Sequence, residues 1–267
     1  MLLGTVLLWA LNIVVTRYVV TNGFHPLAYA TIRYGAAISL FLGYTWWRER
    51  SFRIARRDLR FVGIAAAMIF LNQLAFVNSA HLTSASTLGL VLGTTPIFAG
   101  VALIAASAGG GFSGALLGDI LAIATAATWA AYSVAITPLM RRYSPFRISS
   151  VVLPLGWVPL ALVSIPQLSS QTVDGFGWTM ALAFAFAVVG PLFLTNILWF
   201  TAIGKVGPSR ATLFANLEPF FAVLFAVLLL SESLNGLEIA GGALIAAGIV
   251  IERRAHHAPE PVVVLGE

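Results

Sequence analysis

WTMALAFAFAVVGPLFLTNILWFTA, residues 178–202, carries no charged side chain. As a helix rising about 1.5 Å per residue it is long enough to cross the roughly 30 Å hydrocarbon core of a bilayer. Lipid offers no hydrogen bonds to the backbone, and a helix satisfies its own N–H and C=O groups within the segment. Eight further apolar runs flank this one: Leu2–Val20, Pro26–Trp47, Phe61–Ala80, Ser84–Ala106, Leu116–Leu139, Ile148–Ile165, Pro208–Leu230 and Leu237–Ile251. The in/out alternation of a membrane barrel is absent from them. The first run has no basic segment before it and contains Asn12 and Arg17, so it reads as a mature span and not a signal peptide. Composition agrees. Of 267 residues, 59% are hydrophobic and 9% charged, against about 25% charged in a soluble domain, and mean hydropathy is +0.93. Such a chain cannot cover its surface with polar groups, which excludes a soluble enzyme or binding domain. With no cysteine, disulfides, thiolate catalysis and thiolate-bound metal are excluded too.

The few charges report topology. Thirteen of the 15 basic residues fall in four clusters: Arg48–Arg60, Arg141–Arg147, Lys205 with Arg210, and Arg253 with Arg254. Short loops rich in Lys and Arg lie in the cytoplasm. Two runs separate the second cluster from the third, and two the third from the fourth, so these share a face. Asp174, Glu232 and Glu238 then fall on the other. Only three runs separate the first cluster from the second, which would place six arginines outside. An odd number of spans is therefore expected to be missing between Arg60 and Arg141.

Internal repetition gives the same answer. Trp9-Ala10 matches Trp129-Ala130, with Val14 and Val134 at the same spacing. Thr95-Pro96-Ile97-Phe98-Ala99 matches Glu218-Pro219-Phe220-Phe221-Ala222, and Ser86 and Leu90 match Ser209 and Leu213. Trp9 to Pro96 is 87 residues and Trp129 to Pro219 is 90. After Pro219 the second half adds one more span, for which the first half has no room near Ser107-Ala108-Gly109-Gly110-Gly111. The expected architecture is an all-α polytopic membrane protein of two inverted repeats of five helices. Nine spans are visible because the fifth helix of the first repeat is missing. Residues 1–106 form the first repeat, 107–115 a Gly-rich junction, 116–254 the second repeat, and 255–267 a disordered tail. Either the chain has lost a helix or the sequence as given omits a segment; Ala106 and Gly110 would lie at opposite faces in the second case.

The order and spacing of these segments resemble the EamA-type transporters of the drug/metabolite transporter superfamily. The resemblance rests on Trp9-Ala10-Leu11-Asn12, Pro26 with Arg33, Thr95-Pro96-Ile97-Phe98, Gly118-Asp119, Trp129-Ala130-Ala131-Tyr132, Ser144-Pro145, Trp199-Phe200-Thr201-Ala202, Leu217-Glu218-Pro219, Glu232 and the run Gly241–Gly248. It covers nearly the whole chain except the fifth helix and the tail. It implies ten helices, both termini cytoplasmic, residence in the cell's inner (plasma) membrane, and a central cavity between inverted halves. It also implies transport of small metabolites, amino acids or drugs, often outward. The partners expected are a small-molecule substrate and the lipid bilayer, and no cofactor or metal.

A charge deep in a span faces a cavity or a partner. Arg33 stands seven residues past Pro26 and Glu218 ten past Pro208. Glu218 precedes Pro219, whose missing N–H kinks or loosens a helix. One reading makes Glu218 a proton-coupling carboxylate or an anchor for a cationic substrate, with Arg33 holding a substrate carboxylate. The other makes them an internal structural pair or helix-end residues. Arg17 lies near enough to its span's end to snorkel to the interface. Among uncharged polar residues, Asn12, Asn72, Gln73, Asn78, Thr95, Asn196 and Asn216 either line a cavity or bond helices together. Asn12, Asn196 and Asn216 fit a cavity best, standing beside repeat-related Trp or Pro residues. Trp9, Trp129, Tyr132, Trp157 and Trp199 are candidate pocket aromatics; Trp46 and Trp47 adjoin the arginines and belong to the interfacial belt.

An intramembrane enzyme is the weaker class. Asp119 and Asp174 sit at span edges, His25 and His81 at span ends, and no zinc, nucleophile-elbow or phosphate-loop motif forms. Nucleic-acid binding is not expected, because topology and anionic lipid account for the arginines. A non-transporting assembly or receptor protein is the remaining alternative. A one-sided cavity lined by Glu218, Asn196 and Trp199 would favour transport over it.

Overall fold

The computed structural model describes residues 1–93, 114–172, 177–206, 214–234, 236, 239–240 and 242–243. Among them every regular element is a helix: α1 (Leu2–Thr21), α2 (Pro26–Glu49), a short 3-10 turn (Arg56–Asp58), α3 (Leu59–Leu82), α4 (Ala85–Gly93), α5 (Gly114–Met140), α6 (Pro145–Ser170), α7 (Trp178–Val188), a π turn (Val189–Leu194), α8 (Thr195–Val206) and α9 (Glu218–Leu230). Five stretches, Leu2–Thr21, Arg56–Leu82, Leu116–Met140, Pro145–Ser170 and Trp178–Trp199, are long and apolar enough to cross a membrane. Local chemistry sets the ends. Pro26 and Pro145 open their helices, where a missing N–H leaves nothing unsatisfied. Ser144 caps α6, its hydroxyl accepting from the Arg147 N–H at 3.1 Å. Arg50 and Ser231 end α2 and α9 in the left-handed conformation, at φ 53° and 54°.

Contacts fix which way each helix runs. Helix α2 lies antiparallel to α6: Glu49 meets Arg147, Thr45 meets Ser150 at 2.7 Å, Thr31 meets Ser164 at 2.6 Å, and the His25 N–H meets Gln171 at 2.7 Å. Helix α3 lies antiparallel to α5, through Asp58 with Arg142, Asn72 with Thr125, and Ser79 with Gly118. Helices α7 and α8 follow the direction of α2: Phe184 packs on Phe24 and Tyr29, and Phe193 on Phe41. Leu2 of α1 packs with Ala202 and Trp199 of α8, while Arg17 reaches the far end of α3. Helix α9 is antiparallel to α4, since Glu232 bonds Ser86 while Ala222 meets Gly89.

Two ends emerge. One holds Met1, Arg48–Arg60, Arg141–Arg147 and the end of α8 with Lys205. The other holds His25, His81, Gly118, Gln171, Trp178 and Glu232. The first two arginine clusters therefore share a face, although three apolar runs lie between them. They are tied across that face by Glu49 with Arg147 at 2.8 Å, and by Asp58 with Arg142 and the Tyr143 hydroxyl. Helices α4 and α5 both start at the opposite end. The expected missing helix, the pair Ala106 and Gly110, and the tail fall outside the described residues. The helix carrying Trp9 runs opposite to that carrying Trp129, and α2 and α3 run opposite to α6 and α7–α8 respectively.

One expected span is corrected. The run Pro208–Leu230 is not one continuous helix: the chain turns at Asn216–Leu217 and α9 begins at Glu218. Pro219 can neither donate to the Ala215 carbonyl nor fit its ring beside it, so it sits in a first turn instead. A second irregularity is the π turn around Gly190-Pro191, after which Thr195 and Asn196 donate to the carbonyls of Pro191 and Leu192. Small residues let the helices cross closely. A Cβ on Gly89 would lie 2.5 Å from the Ala222 Cβ, and one on Gly156 2.8 Å from the Ala66 carbonyl oxygen.

Candidate functional site

Arg33 is the largest fully buried side chain among the described residues, only 1% exposed. Pro26 starts α2 at the end opposite the arginine clusters, so Arg33 lies about 10 Å down the helix from that end. Its Nη1 donates to Asn12 Oδ1 at 2.9 Å and Thr16 Oγ1 at 3.4 Å, and its Nη2 to Gln73 Oε1 at 3.0 Å. The rings of Tyr29, Tyr34 and Phe76 stand 5.0, 5.5 and 5.8 Å from the guanidinium carbon. Every one of these partners is neutral. The ion pairs among the described residues are Asp58 with Arg142 and Glu49 with Arg147, both near the arginine-rich end. The internal pair Arg33–Glu218 does not form. The Arg33 Nε is buried without a hydrogen-bond partner. A buried charge with neutral partners is unusual, because desolvation costs several kcal/mol and neutral partners give no charge–charge attraction to offset it.

Polar contacts extend from Arg33 into α5. Gln73 Nε2 donates to Asn72 Oδ1 at 3.0 Å, and Asn72 Nδ2 donates to the Thr125 carbonyl at 2.9 Å and to Thr128 Oγ1 at 3.3 Å. Asn12, Arg33 and Asn72 thus join one network, and Gln73 is its middle member. The sequence offers Gln73 as one amide among several; that it faces Arg33 depends on how α2 and α3 rotate against each other.

Glu218 opens α9, half-buried, where a helix N-terminus favours negative charge. Ile13 of α1 and Ala222 of α9 both approach Gly89. These two helices run parallel, and one turn earlier on them stand Trp9 and Glu218. Trp9 packs against Trp199 of α8 with ring centroids 5.1 Å apart. Trp9, Trp199 and Glu218 therefore occupy one level, a turn below Asn12 and the Arg33 cluster. Asn216 lies half-buried in the turn just before Glu218.

Other candidates lie apart. Trp129 is exposed and packs on buried Tyr132 at 5.4 Å, on α5. Asn196 and Asn78 donate to carbonyls of their own helices, Leu192 and Leu74. Trp157 donates to the Thr31 carbonyl at 2.8 Å and lies against Gly35. Thr95 is outside the described residues. Arg17 donates to the Ala80 and His81 carbonyls at 2.9 and 2.6 Å, satisfying orphan acceptors in the last turn of α3. Trp46 and Trp47 are exposed, as interfacial residues are. Sequence reading overlooked Glu232 as a cap: its carboxylate accepts from the Ala85 and Ser86 N–H groups and the Ser86 hydroxyl, 2.7–3.0 Å away, across 146 residues of chain.

Two hollows stand out among the described residues. The first, lined by Tyr34, Gln73 and Trp157 among others, is too narrow to admit a water molecule. The second, about 390 Å³, is an apolar groove beside Trp157, Leu162 and Ile165. Neither is lined by Glu218, Asn196 or Trp199, so the expected one-sided cavity is not among them; residues 207–213, which lead into this part of the chain, lie outside the described residues.

Comparison with known proteins settles the family. A model described as "EamA-like transporter family" matches residues 1–106 and 116–252. The chain belongs to the EamA-like transporter family. A protein of Archaeoglobus fulgidus called "Uncharacterized transporter" is 25% identical over 169 residues, 60% of this chain. The match spans 56% of that relative's own length. A solved chain described as "Crystal structure of protein" superposes with a TM-score of 0.64 at 18% identity, over 96% of this chain and 97% of that one; this likeness shows the EamA-like chain's fold alone. Family and helices together make the EamA-like chain a multi-pass membrane protein of a transporter family.

Proposed function

We propose that this chain is a secondary transporter that moves small carboxylate-bearing metabolites, amino acids among them, across the cytoplasmic membrane by alternating access. The single observation that carries this reading is Arg33, a cation buried in the protein interior whose polar partners are all neutral. A substrate carboxylate supplies the missing charge, and a guanidinium binds it in two parallel hydrogen bonds. The two inverted repeats, four helices of five in the first, rock about this level. The arginine-rich face, with both termini, is cytoplasmic. Energy comes from an ion gradient or exchange, and transport runs outward in the cell.

Glu218 is the coupling group in this reading. It stands a turn from the Arg33 level, beside Trp9 and Trp199, at a helix start inside the membrane, as in transporters with broken helices. It binds a proton in one half of the cycle and releases it in the other. The test is uptake into proteoliposomes holding the purified chain, with pools of labelled metabolites. Carboxylates are accumulated, and Arg33→Gln abolishes this without lowering expression. Uptake by Arg33→Gln equal to that of the unaltered chain sinks the reading.

A further inference from the structure

We infer that Gln73 is a positioning residue, which holds the Arg33 guanidinium through a neutral relay and so keeps its charge available to a substrate. The inference rests on Arg33 as the carboxylate anchor and adds what makes it selective. Both ends of the Gln73 amide are used: Oε1 accepts from Arg33 Nη2, and Nε2 donates to Asn72 Oδ1, each at 3.0 Å. Asn72 in turn donates to the Thr125 carbonyl and Thr128 Oγ1 on α5. The threonine hydroxyls are themselves turned toward their own helix, Thr125 bonding the Leu121 carbonyl at 2.8 Å and Thr128 that of Ala124 at 2.6 Å. The relay therefore ends on backbone, not on a freely rotating group, and the guanidinium orientation depends on how α3 packs against α5.

The chemistry of the acceptor matters as much as its place. A carboxylate at position 73 would satisfy Arg33 by itself and leave nothing for a ligand. An amide oxygen orients the guanidinium and leaves its charge unneutralised. Asn12 and Thr16 hold Nη1 in the same neutral manner, and the rings of Tyr29, Tyr34 and Phe76 surround the guanidinium. What remains is the Nε edge, a buried donor without an acceptor. A carboxylate bridging Nε and Nη2 side-on completes the set. The ligand class is a small monocarboxylate able to reach this edge.

The experiment uses the full chain in proteoliposomes, with a mixture of labelled L-amino acids as probe and their methyl esters as competitors. Acids are taken up and esters compete poorly. Arg33→Gln lowers uptake at least 10-fold. Gln73→Glu lowers it as strongly through a raised KM, while the solubilised variant melts no lower than the unaltered chain, because a new ion pair replaces a neutral contact. Gln73→Met, which keeps the charge and loses the relay, raises KM about 3–10-fold at unchanged Vmax and serves where Gln73→Glu fails to fold. A KM unchanged in Gln73→Glu, or in Gln73→Met where that variant serves, overturns the inference and leaves the anchor standing if Arg33→Gln is inactive. Full activity of Arg33→Gln, equal competition by esters, or no uptake of any acid removes the anchor and this inference with it.

Discussion

Arg33 is held by hydrogen bonds and rings, none of which carries a negative charge, so the folded protein stores an unfavourable burial at this position. Removing the guanidinium relieves a buried charge but leaves the Asn12 and Gln73 oxygens without their donor, at about 1–3 kcal/mol for a buried unpaired acceptor. These effects oppose each other, so Arg33→Met is expected to melt close to the unaltered chain in detergent while losing uptake of carboxylates. A large fall in melting temperature would mean that the guanidinium serves the fold. Glu218 has a different test. If its carboxylate carries the coupling proton, Glu218→Gln leaves transport indifferent to pH and to an imposed proton gradient, measured as uptake across a pH series. Persistence of the full pH dependence would rule that role out. Both residues were legible in the sequence, because a charge inside an apolar run has no cheap explanation. Their separation was not. The sequence allows Arg33 and Glu218 to pair, and only the packing of α1, α3 and α9 gives Arg33 to Asn12, Thr16 and Gln73.

At the scale of elements, two crossings depend on glycine. A methyl group at Gly89 would overlap the Ala222 Cβ at 2.5 Å, and α4 and α9 would have to separate. Gly89→Ala is expected to destabilise by about 1–3 kcal/mol, the usual range for overpacking. Gly156→Ala should behave similarly, facing the Ala66 carbonyl oxygen at 2.8 Å. Gly63→Ala is the control, since nothing lies within 4 Å of its added Cβ. It should be neutral or stabilising, by up to about 1 kcal/mol from helix propensity. Thermal unfolding of the three variants in one detergent checks the order. Small residues marked helix contacts in the sequence, but which glycine meets which helix did not follow from spacing. From the sequence Pro219 is expected to kink or loosen a span; it sits in the first turn of α9, since a proline is better tolerated where no N–H is required than where one is lost.

For the whole molecule, the test is sidedness. The chain has no cysteine, so single cysteines introduced at the ends report directly. Arg50→Cys and Arg141→Cys should react with a membrane-impermeant maleimide from one side, and Trp178→Cys and Ser231→Cys from the other. Labelling of Arg50→Cys and Arg141→Cys from opposite sides would contradict the antiparallel packing of α3 on α5. The pair Asp58–Arg142 gives a second handle: Asp58→Asn alone should weaken the arginine-rich face, because it leaves Arg142 without its carboxylate partner, and the fall should show in thermal unfolding of the purified chain. Charge counting anticipated that the two arginine clusters belong together even though the visible runs put them apart, because the rule weighs where basic residues stand, not how many runs intervene.

The sequence by itself determined that this chain lives in a membrane, that it does so as helices, and which two charges are out of place. Those conclusions follow from local physics: each segment must satisfy its own backbone and match the lipid with its own side chains, so neighbouring residues suffice. The tertiary structure alone decided which polar atoms meet. Gln73 reaches Arg33, Glu232 caps α4, and Arg17 caps α3, each across dozens of residues or more. Such meetings depend on the rotation and crossing of whole helices, which are set by how closely small residues let them approach, and lipid hydrophobicity is indifferent to that choice.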